Sequence, residues 1–232
     1  MIKKLKAFLR TNIYTKNLYN ILRFIKRGVE NRRKRYVLQH NGEQTIKELQ
    51  NILEKANIVF FFDMGTLLGI VREGRLLGHD LDIDIAISDN NKETINLVRS
   101  TLLNSGCRQK FLYIVDGIGI VEESYVINNI KFDINYYKTD QNHSKCYLLY
   151  TSHGKKYKDE LKLSVVELSC SPIADIEKIS FADTKINIPQ NAEHYLAERY
   201  GENWRIPDKN YIYYKGPSAK AIKNIGMKIT IK

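Results

Sequence analysis

The chain has 232 residues, 43% of them hydrophobic, which is enough for one globular domain with a packed core. Its three cysteines are widely spaced and form no CxxC motif, which argues against a disulfide framework or a cysteine-ligated zinc site. The net charge of +11 is confined to the two ends of the chain, because residues 37–214 are mildly acidic. A nucleic-acid-binding domain usually spreads positive charge over its recognition surface, so we expect no nucleic-acid partner.

Residues 1–36 contain twelve Lys and Arg residues and one acid. Apolar residues recur at three- and four-residue steps from Ile2 to Ile25, with a break near Thr11, which predicts a basic amphipathic helix. Such a helix either lies on an anionic membrane surface or packs on the protein body or a second subunit. The sequence has no apolar run of about 18 residues and no signal-peptide pattern. We therefore expect a cytoplasmic protein, peripheral at the inner face of the membrane.

The following segments predict an α+β fold. A capping-box pattern at Asn41 predicts a helix through about Ala56, the apolar run 58–62 predicts a buried strand, and strict alternation over 81–87 predicts a strand with one buried face. Further strands are predicted at 110–115, 118–127, 130–137, 145–150, 163–168 and 185–188, and helices at 90–104 and 190–200. Successive strands with short breaks indicate a mixed or antiparallel sheet flanked by helices.

The predicted organisation has three parts. Residues 1–36 are a basic helical extension, residues 37–214 are the catalytic domain, and residues 215–232, with five lysines and no acid, are a basic C-terminal tail.

Asp82 and Asp84 are the strongest candidates for chemistry. They lie two residues apart on a predicted strand, so both carboxylates project from the same face. Neighbouring carboxylates repel each other until a divalent cation bridges them, and Mg²⁺, for which Mn²⁺ can substitute, prefers such oxygen ligands together with substrate phosphates. An isolated DxD pair is a weak signal, because exposed strands often carry alternating acids.

A turn at Gly65 and Thr66 follows the first buried strand and opens a short helix. A helix start offers backbone N–H groups and a hydroxyl to a phosphate, and Arg72, further along the helix, is placed to add a charge-assisted contact. Asp63 directly precedes the turn, either facing the metal or supporting its ligands.

Asp133 is the candidate third acid of the site. It lies in the apolar segment 130–136, where it shares a strand face with Lys131 instead of its apolar neighbours. An acid inside an apolar strand is uncommon unless it is paired or metal-bound. Its role is either metal ligand or general base.

Together, the Gly-Thr turn, the short helix and the Asp-hydrophobic-Asp-hydrophobic strand resemble the nucleotidyltransferase superfamily. More narrowly, segments 65–72 and 80–85 resemble the LicD/fukutin family. The downstream residues Ile188-Pro189, Tyr195-Leu196, Arg199-Tyr200-Gly201, Trp204 and Pro207 resemble the C-terminal segment of that family, so the resemblance covers about residues 45–210.

The resemblance implies a metal-dependent phosphotransferase of glycan decoration. Members of the family transfer phosphocholine, or a polyol phosphate such as ribitol or glycerol phosphate, from a CDP-activated donor to a sugar hydroxyl. The acceptor would be a cell-surface glycan, such as lipopolysaccharide, capsule or teichoic acid, or its lipid-linked precursor. The resemblance places Mg²⁺ on Asp82 and Asp84, completes the set with Asp133, and assigns the donor phosphates to Gly65, Thr66 and Arg72.

Some residues depart from the family pattern or have weaker assignments. His79 stands where the family commonly has a large aromatic residue, which bears on the donor head group, and Leu81 replaces an acid. Asp80, like Asp63, is a candidate to support the metal ligands. Trp204 either stacks on a sugar or nucleobase or packs in the core.

Two alternative functions stay open at this point. An enzyme of the same fold transfers a nucleoside monophosphate from an NTP to a small molecule or protein and releases pyrophosphate. A non-catalytic, basic-tailed module would bind RNA or membrane with a vestigial acid set. The intact set of Asp82, Asp84 and Asp133 disfavours the second alternative.

Overall fold

A computed structural model of the chain describes residues 13–151, 163–173 and 175–231, with side chains from Tyr19 onward. Its strands are β1 (Phe60–Phe62), β2 (Asp82–Ile87), β3 (Arg108–Val115), β4 (Gly119–Ile127), β5 (Ile130–Tyr136), β6 (Lys138–Thr139), β7 (Ser144–Tyr150), β8 (Leu163–Cys170), β9 (Ile176–Phe181), β10 (Thr184–Pro189) and β11 (Ala219–Thr230). Its helices are α1 (Ile13–Lys55), α2 (Met64–Glu73), α3 (Lys92–Asn104) and α4 (Ala192–Tyr200), with a 3₁₀ turn at Tyr213–Lys215.

Nine strands form one mixed sheet in the order β1-β2-β5-β4-β3-β11-β8-β7-β6, and β10 and β9 form a separate antiparallel pair. Within the large sheet only β2 and β5 run parallel, because the chain between them passes through α3 and the β3–β4 hairpin before returning beside β2. The predicted α+β class with a mixed sheet and flanking helices is confirmed. The predicted strands are present with shifted ends, whereas β6, β9 and β11 were not predicted.

The main core lies against one face of this sheet. Strand β1 is buried throughout, and the inward residues of β2 and β5, such as Ile83, Ile85 and Phe132, are fully buried. Because side chains alternate along a strand, the residues between them project from the opposite face. The burial of one face therefore fixes which residues face the candidate site.

Helix α1 has two halves with different environments. Leu38, Ile46, Leu49 and Leu53 are buried, whereas every residue from 20 to 30 is exposed. The predicted helix start at Asn41 is wrong, since the helix is continuous through this position and the Asn41 carbonyl accepts a hydrogen bond from the Thr45 hydroxyl. The capping-box residues were misread because the same residue types also occur inside helices.

The boundaries predicted near the N-terminus fall on α1. The expected division at residues 36 and 37 lies within this unbroken helix, and the expected break near Thr11 lies outside the described residues. Among the described residues, no helix combines the length and the apolar character that crossing a bilayer requires.

The segment expected to be a basic tail forms strand β11 instead. It pairs with β3 on one side and β8 on the other, and so joins the two parts of the large sheet. Gly226 lies at the crossing, where a Cβ atom would come within 2.3 Å of the Leu149 Cδ2 atom. The lysine-rich composition concealed this strand, because charge content alone does not report strand pairing.

We predict that the three cysteine thiols are unreactive in the native protein. Cys107, Cys146 and Cys170 are free and buried, and burial raises the pKa of Cys107 to about 11, raises that of Cys170 to about 12 and raises that of Cys146. Since the thiolate is the reactive form, a thiol reagent such as DTNB should react slowly with the native chain and fully in guanidinium chloride. A thiol that reacts equally fast in both conditions would contradict this burial.

Candidate active site

The register of β2 and β5 brings the three predicted acids together. Asp84 lies directly opposite Asp133, and Asp82 lies opposite Lys131. Residues paired across neighbouring strands project from the same face, which here is the face opposite the apolar core. The side chain of Asp82 is 31% exposed and that of Asp133 is 10% exposed. The parallel pair thus forms an acid cluster consisting of Asp82, Asp84 and Asp133.

Lys131 lies between two members of the acid cluster. Its Nζ atom is 2.7 Å from Asp82 Oδ2 and 2.6 Å from Asp133 Oδ2. The other oxygen of Asp133, Oδ1, accepts a hydrogen bond from the Ser124 hydroxyl on β4. Both oxygens of Asp133 therefore have protein partners in this structure.

The cluster carries more negative than positive charge. Burial, followed by the carboxylates of Asp82 and Asp133, raises the pKa of Asp84 well above its ordinary value. Burial also raises the pKa of Asp133, against the opposing effect of Lys131. For Lys131 itself, burial would lower the pKa, but the two carboxylates outweigh it and the pKa is raised. One ammonium thus stands against three carboxylates, an arrangement that attracts a further cation.

The donor set of the cluster fits a hard divalent cation. Carboxylate oxygens are the ligands that Mg²⁺ and Mn²⁺ prefer, and the three acids converge from neighbouring strands. As the side chains stand, no group of three or more His, Cys, Asp or Glu residues in the described part of the chain is arranged to hold a metal ion. The position between Asp82 and Asp133 is taken by the Lys131 ammonium.

The turn before α2 holds the backbone of Asp84. Asp63 caps the helix by accepting the Met64 N–H at Oδ1, 2.6 Å away, and its own backbone N–H donates to the Asp84 carbonyl at 3.0 Å. The Thr66 hydroxyl accepts the Asp84 N–H at 2.9 Å. Both Asp63 and Thr66 are fully buried. Their contacts fix the strand that carries the acids, whereas the sequence suggested that Thr66 contacts a phosphate.

Gly65 and Asp80 lie against each other at the edge of the acid cluster. A Cβ atom on Gly65 would come within 3.0 Å of Asp80 Oδ2, so the glycine leaves room for this carboxylate. Asp80 Oδ2 is buried and has no hydrogen-bond partner in the described part of the structure. Burial, and then Asp82, raises the pKa of Asp80 to about 7, while Arg72 opposes the rise. His79 is largely exposed, with Nε2 3.8 Å from Asp80 Oδ1.

Arg72 and Trp204 contact each other at the end of α2. The Arg72 side chain is 9% exposed, pairs with Glu73 at 2.9 Å and donates from Nη1 to the Trp204 carbonyl at 3.3 Å. Its Nε atom is buried without a partner among the described residues. Trp204 is buried in the main core, and the Arg205 guanidinium lies 4.3 Å from its ring centroid. The structure therefore favours core packing as the role of Trp204.

The sequence analysis missed Glu122 and Lys228. Glu122, on β4, lies opposite Asn135, and burial followed by Asp133 raises its pKa to about 8, against the opposing effect of Lys131 and Lys228. Lys228, on β11, lies 3.6 Å from the centroid of the Phe111 ring. The signal that identified Asp133, an acid within an apolar strand, also applies to Glu122. Lys228 could not be found in this way, because it belongs to the supposed tail.

A buried polar network connects α4 to the start of α2. The hydroxyls of Tyr137 and Tyr195 donate to the Asp63 carboxylate at 2.7 and 2.6 Å. Arg199 Nη2 donates to the Tyr137 hydroxyl at 2.6 Å and lies 3.5 Å from Asp63 Oδ2. All four side chains are buried. Since the backbone N–H of Asp63 in turn donates to the Asp84 carbonyl, the network holds the strand that carries Asp82 and Asp84 in place.

Comparisons with known proteins find related sequences. The sequence profile of the LicD/FKTN/FKRP nucleotidyltransferase domain matches residues 57–191, more than half of the chain. The protein named Ribitol-5-phosphate transferase FKTN from Homo sapiens is 19% identical over 177 residues, which cover 76% of this chain and 36% of that protein. The protein of the same name from Mus musculus is 22% identical over 215 residues, 93% of this chain and 41% of that protein. The chain therefore spans less than half the length of these relatives.

We predict that Arg199→Met destabilises the fold strongly, because it leaves the Asp63 carboxylate buried without its positive partner. Breaking a buried ion pair in this way costs about 3–5 kcal/mol. The double variant Arg199→Met/Asp63→Asn should lose less than the sum of the two single variants, since the unpaired charge is gone. Urea unfolding followed by circular dichroism measures each free energy of unfolding.

The control for this cycle is Arg205→Met, which removes an exposed ion pair with Glu193 at 2.5 Å and a contact with the Trp204 ring. Exposed pairs contribute about 1 kcal/mol or less. An Arg199→Met variant that is as stable as Arg205→Met would refute the structural importance of the network.

Proposed function

Because this chain belongs to the LicD/FKTN/FKRP family, we propose that it is a transferase that moves a phosphorylated head group from a CDP-activated donor to a sugar hydroxyl. The head group is phosphocholine or a polyol phosphate such as ribitol or glycerol phosphate, and the acceptor is a cell-surface glycan or its lipid-linked precursor. The name of the curated relatives, ribitol-5-phosphate transferase, favours a polyol phosphate. The observation that carries the proposal is the register of Asp84 opposite Asp133 on the parallel strands β2 and β5.

Each group of the site has a role in this reaction. Asp82 and Asp84 would hold Mg²⁺, which when bound neutralises the donor pyrophosphate and the departing CMP. The acceptor oxygen forms the new bond to phosphorus as the bond to CMP breaks, and the hydroxyl proton must pass to a base. Asp133 either completes the ligand set or takes this proton. Metal affinity of Asp133→Asn separates these roles, because only a ligand is needed for tight binding.

Two features at α2 support binding of the donor phosphates. Gly65 lies in the first turn of α2, where backbone N–H groups favour an anion. The guanidinium of Arg72 keeps one buried donor, Nε, without a partner among the described residues. Thr66 would contribute through its position in the turn, because its hydroxyl already binds the backbone of Asp84.

We predict that one CDP donor, out of CDP-choline, CDP-ethanolamine, CDP-glycerol and CDP-ribitol, releases CMP in the presence of Mg²⁺ as its head group passes to an acceptor hydroxyl or to water, and that EDTA abolishes the release. Asp84→Asn should lower the rate on the order of 100-fold or more, because it removes a metal ligand that stabilises the transition state by several kcal/mol. The matched control is Asp183→Asn, since Asp183 is an exposed carboxylate paired only with Lys47 in the described structure.

The nearest alternative is a nucleotidyltransferase that transfers NMP from an NTP. The same assay, run with the four NTPs and scored for pyrophosphate, distinguishes the two reactions by their leaving groups. Release of pyrophosphate from an NTP, without CMP from any CDP donor, would replace our proposal with this alternative.

We also propose that the exposed half of α1 binds an anionic membrane surface and so brings the enzyme to its acceptor. Large apolar residues, including Phe24 at 79% and Val29 at 65% exposure, lie on this half beside numerous Lys and Arg residues. A helix that is exposed on all sides yet carries such apolar groups buries them by entering a lipid interface, while its basic residues pair with anionic lipid.

We predict that deleting residues 1–36 abolishes binding to anionic vesicles and leaves turnover of a soluble acceptor largely intact. The deletion removes twelve basic residues, and each residue near an anionic surface contributes about 1 kcal/mol. Vesicle co-sedimentation with phosphatidylglycerol and with phosphatidylcholine alone measures the effect. The control variant Lys220→Gln/Lys223→Gln neutralises two exposed lysines of β11 and should bind as the full chain does. Equal binding by the deletion variant would disprove the anchor.

A further inference from the structure

We propose that Lys131 is an internal counter-ion that competes with the divalent metal ion for the acid cluster. Its ammonium would stabilise the metal-free protein and would have to leave Asp82 and Asp133 when the metal ion binds. This inference rests on the proposed function, with Asp133 as a ligand of the metal ion, because it requires a metal ion that binds both Asp82 and Asp133.

Lys131 occupies the position that a metal ion bridging Asp82 and Asp133 would take. A cation that binds Asp82 Oδ2 and Asp133 Oδ2 together must lie between these two atoms. The Lys131 Nζ atom already lies there, at 2.7 and 2.6 Å, which are the distances of charge-assisted hydrogen bonds. Metal–oxygen distances for Mg²⁺ are shorter still, near 2.1 Å. The ammonium and the metal ion therefore cannot occupy this position together.

The positive charge of Lys131 favours the metal-free acid cluster and disfavours the metal-bound one. Asp84 and Asp133 lie directly opposite each other on neighbouring strands, so their carboxylates repel each other when no cation lies near them. The Lys131 ammonium offsets part of this repulsion through its contacts with Asp82 and Asp133. Once a metal ion supplies two positive charges, the same ammonium becomes a nearby like charge and opposes binding.

The Lys131 side chain can move more easily than the carboxylates that it contacts. Asp133 is held at its other oxygen by Ser124, and Asp84 is held through its backbone by Asp63 and Thr66. Lys131 is 29% exposed and ends in a flexible four-carbon side chain, so its ammonium can turn toward solvent while the carboxylates stay in place. Displacement of the lysine costs less than rearrangement of the strands.

The proposal predicts opposite effects on stability and on metal affinity. In Lys131→Met the side chain stays unbranched, becomes one heavy atom shorter and loses its charge, so the metal-free protein should be less stable and should bind the metal more tightly. A residue with a merely structural role would weaken both properties, because a distorted site binds metal less well. The sign of the affinity change therefore separates the two roles.

The experiment is isothermal titration of the full chain with Mn²⁺ and with Mg²⁺, together with thermal unfolding in EDTA. Lys131→Met should lower the metal dissociation constant about tenfold or more, since an ammonium within a few ångströms of the ion is removed. Its melting temperature in EDTA should fall by roughly 5–10 °C. Lys131→Arg, which keeps the charge, should retain the weaker affinity of the wild type.

The control is Lys178→Met, which removes a lysine paired with a single carboxylate, Glu54, at 2.5 Å. This variant should leave the metal affinity unchanged. If Lys131→Met does not fold in EDTA, the proposal requires that Mn²⁺ restores its circular dichroism spectrum, and failure to do so overturns it.

The remaining outcomes distinguish the two levels of the argument. If the wild type and Lys131→Met bind Mn²⁺ with equal affinity, or the variant binds more weakly, the counter-ion role is wrong and the proposed function stands. If neither Mn²⁺ nor Mg²⁺ binds either protein, both the counter-ion role and the metal-dependent function are wrong.

Discussion

The parallel pairing of β2 with β5 is the constraint on which the rest of the structure depends. It places Asp84 opposite Asp133 and points both carboxylates to the face that the core leaves uncovered. Like charges held side by side in a partly buried position destabilise a fold unless other groups compensate. The compensation comes from neighbouring residues: Ser124 and Lys131 contact the acid cluster, and Thr66 holds the backbone that carries it.

The groups that compensate this repulsion extend from the acids into the core. Asp63 and Thr66 bind both backbone groups of Asp84, so the strand cannot shift to separate the carboxylates. Asp63 is itself a buried acid, and Arg199 balances its charge. A site that needs closely spaced carboxylates thus extends into the core as a chain of paired polar groups. Such chains are costly when broken, which ties the stability of α4 to the geometry of β2.

Sequence patterns identified the acids because strand alternation is a local property. The segment 81–87 alternates strictly, and Asp133 interrupts an apolar run, so both positions stand out without knowledge of the fold. The same local signals cannot show which strands are neighbours. Consequently the contact of the Lys131 ammonium with the cluster, the position of Glu122 opposite Asn135 and the place of β11 between β3 and β8 became visible only in three dimensions. The role of Thr66 was misread for a related reason, since the sequence shows a hydroxyl at a helix start but not the N–H that it binds.

The two basic segments of the chain differ in structure: one pairs within the sheet, and the other is an exposed half of a helix. In β11, lysines are interspersed with apolar residues, and the strand pairs with a neighbour on each side. In the first half of α1 the apolar residues follow a helical period, yet residues 20–30 are exposed in the part of the chain that the structure describes. The helix continues without a break to the buried Leu38, so its exposed and buried halves form one continuous helix. From residue 20 to residue 38 that helix spans about 27 Å. Anything that binds the exposed half is therefore held at a set distance from the packed half of the helix. A lipid surface bound there would hold its acceptor at that same distance from the packed half.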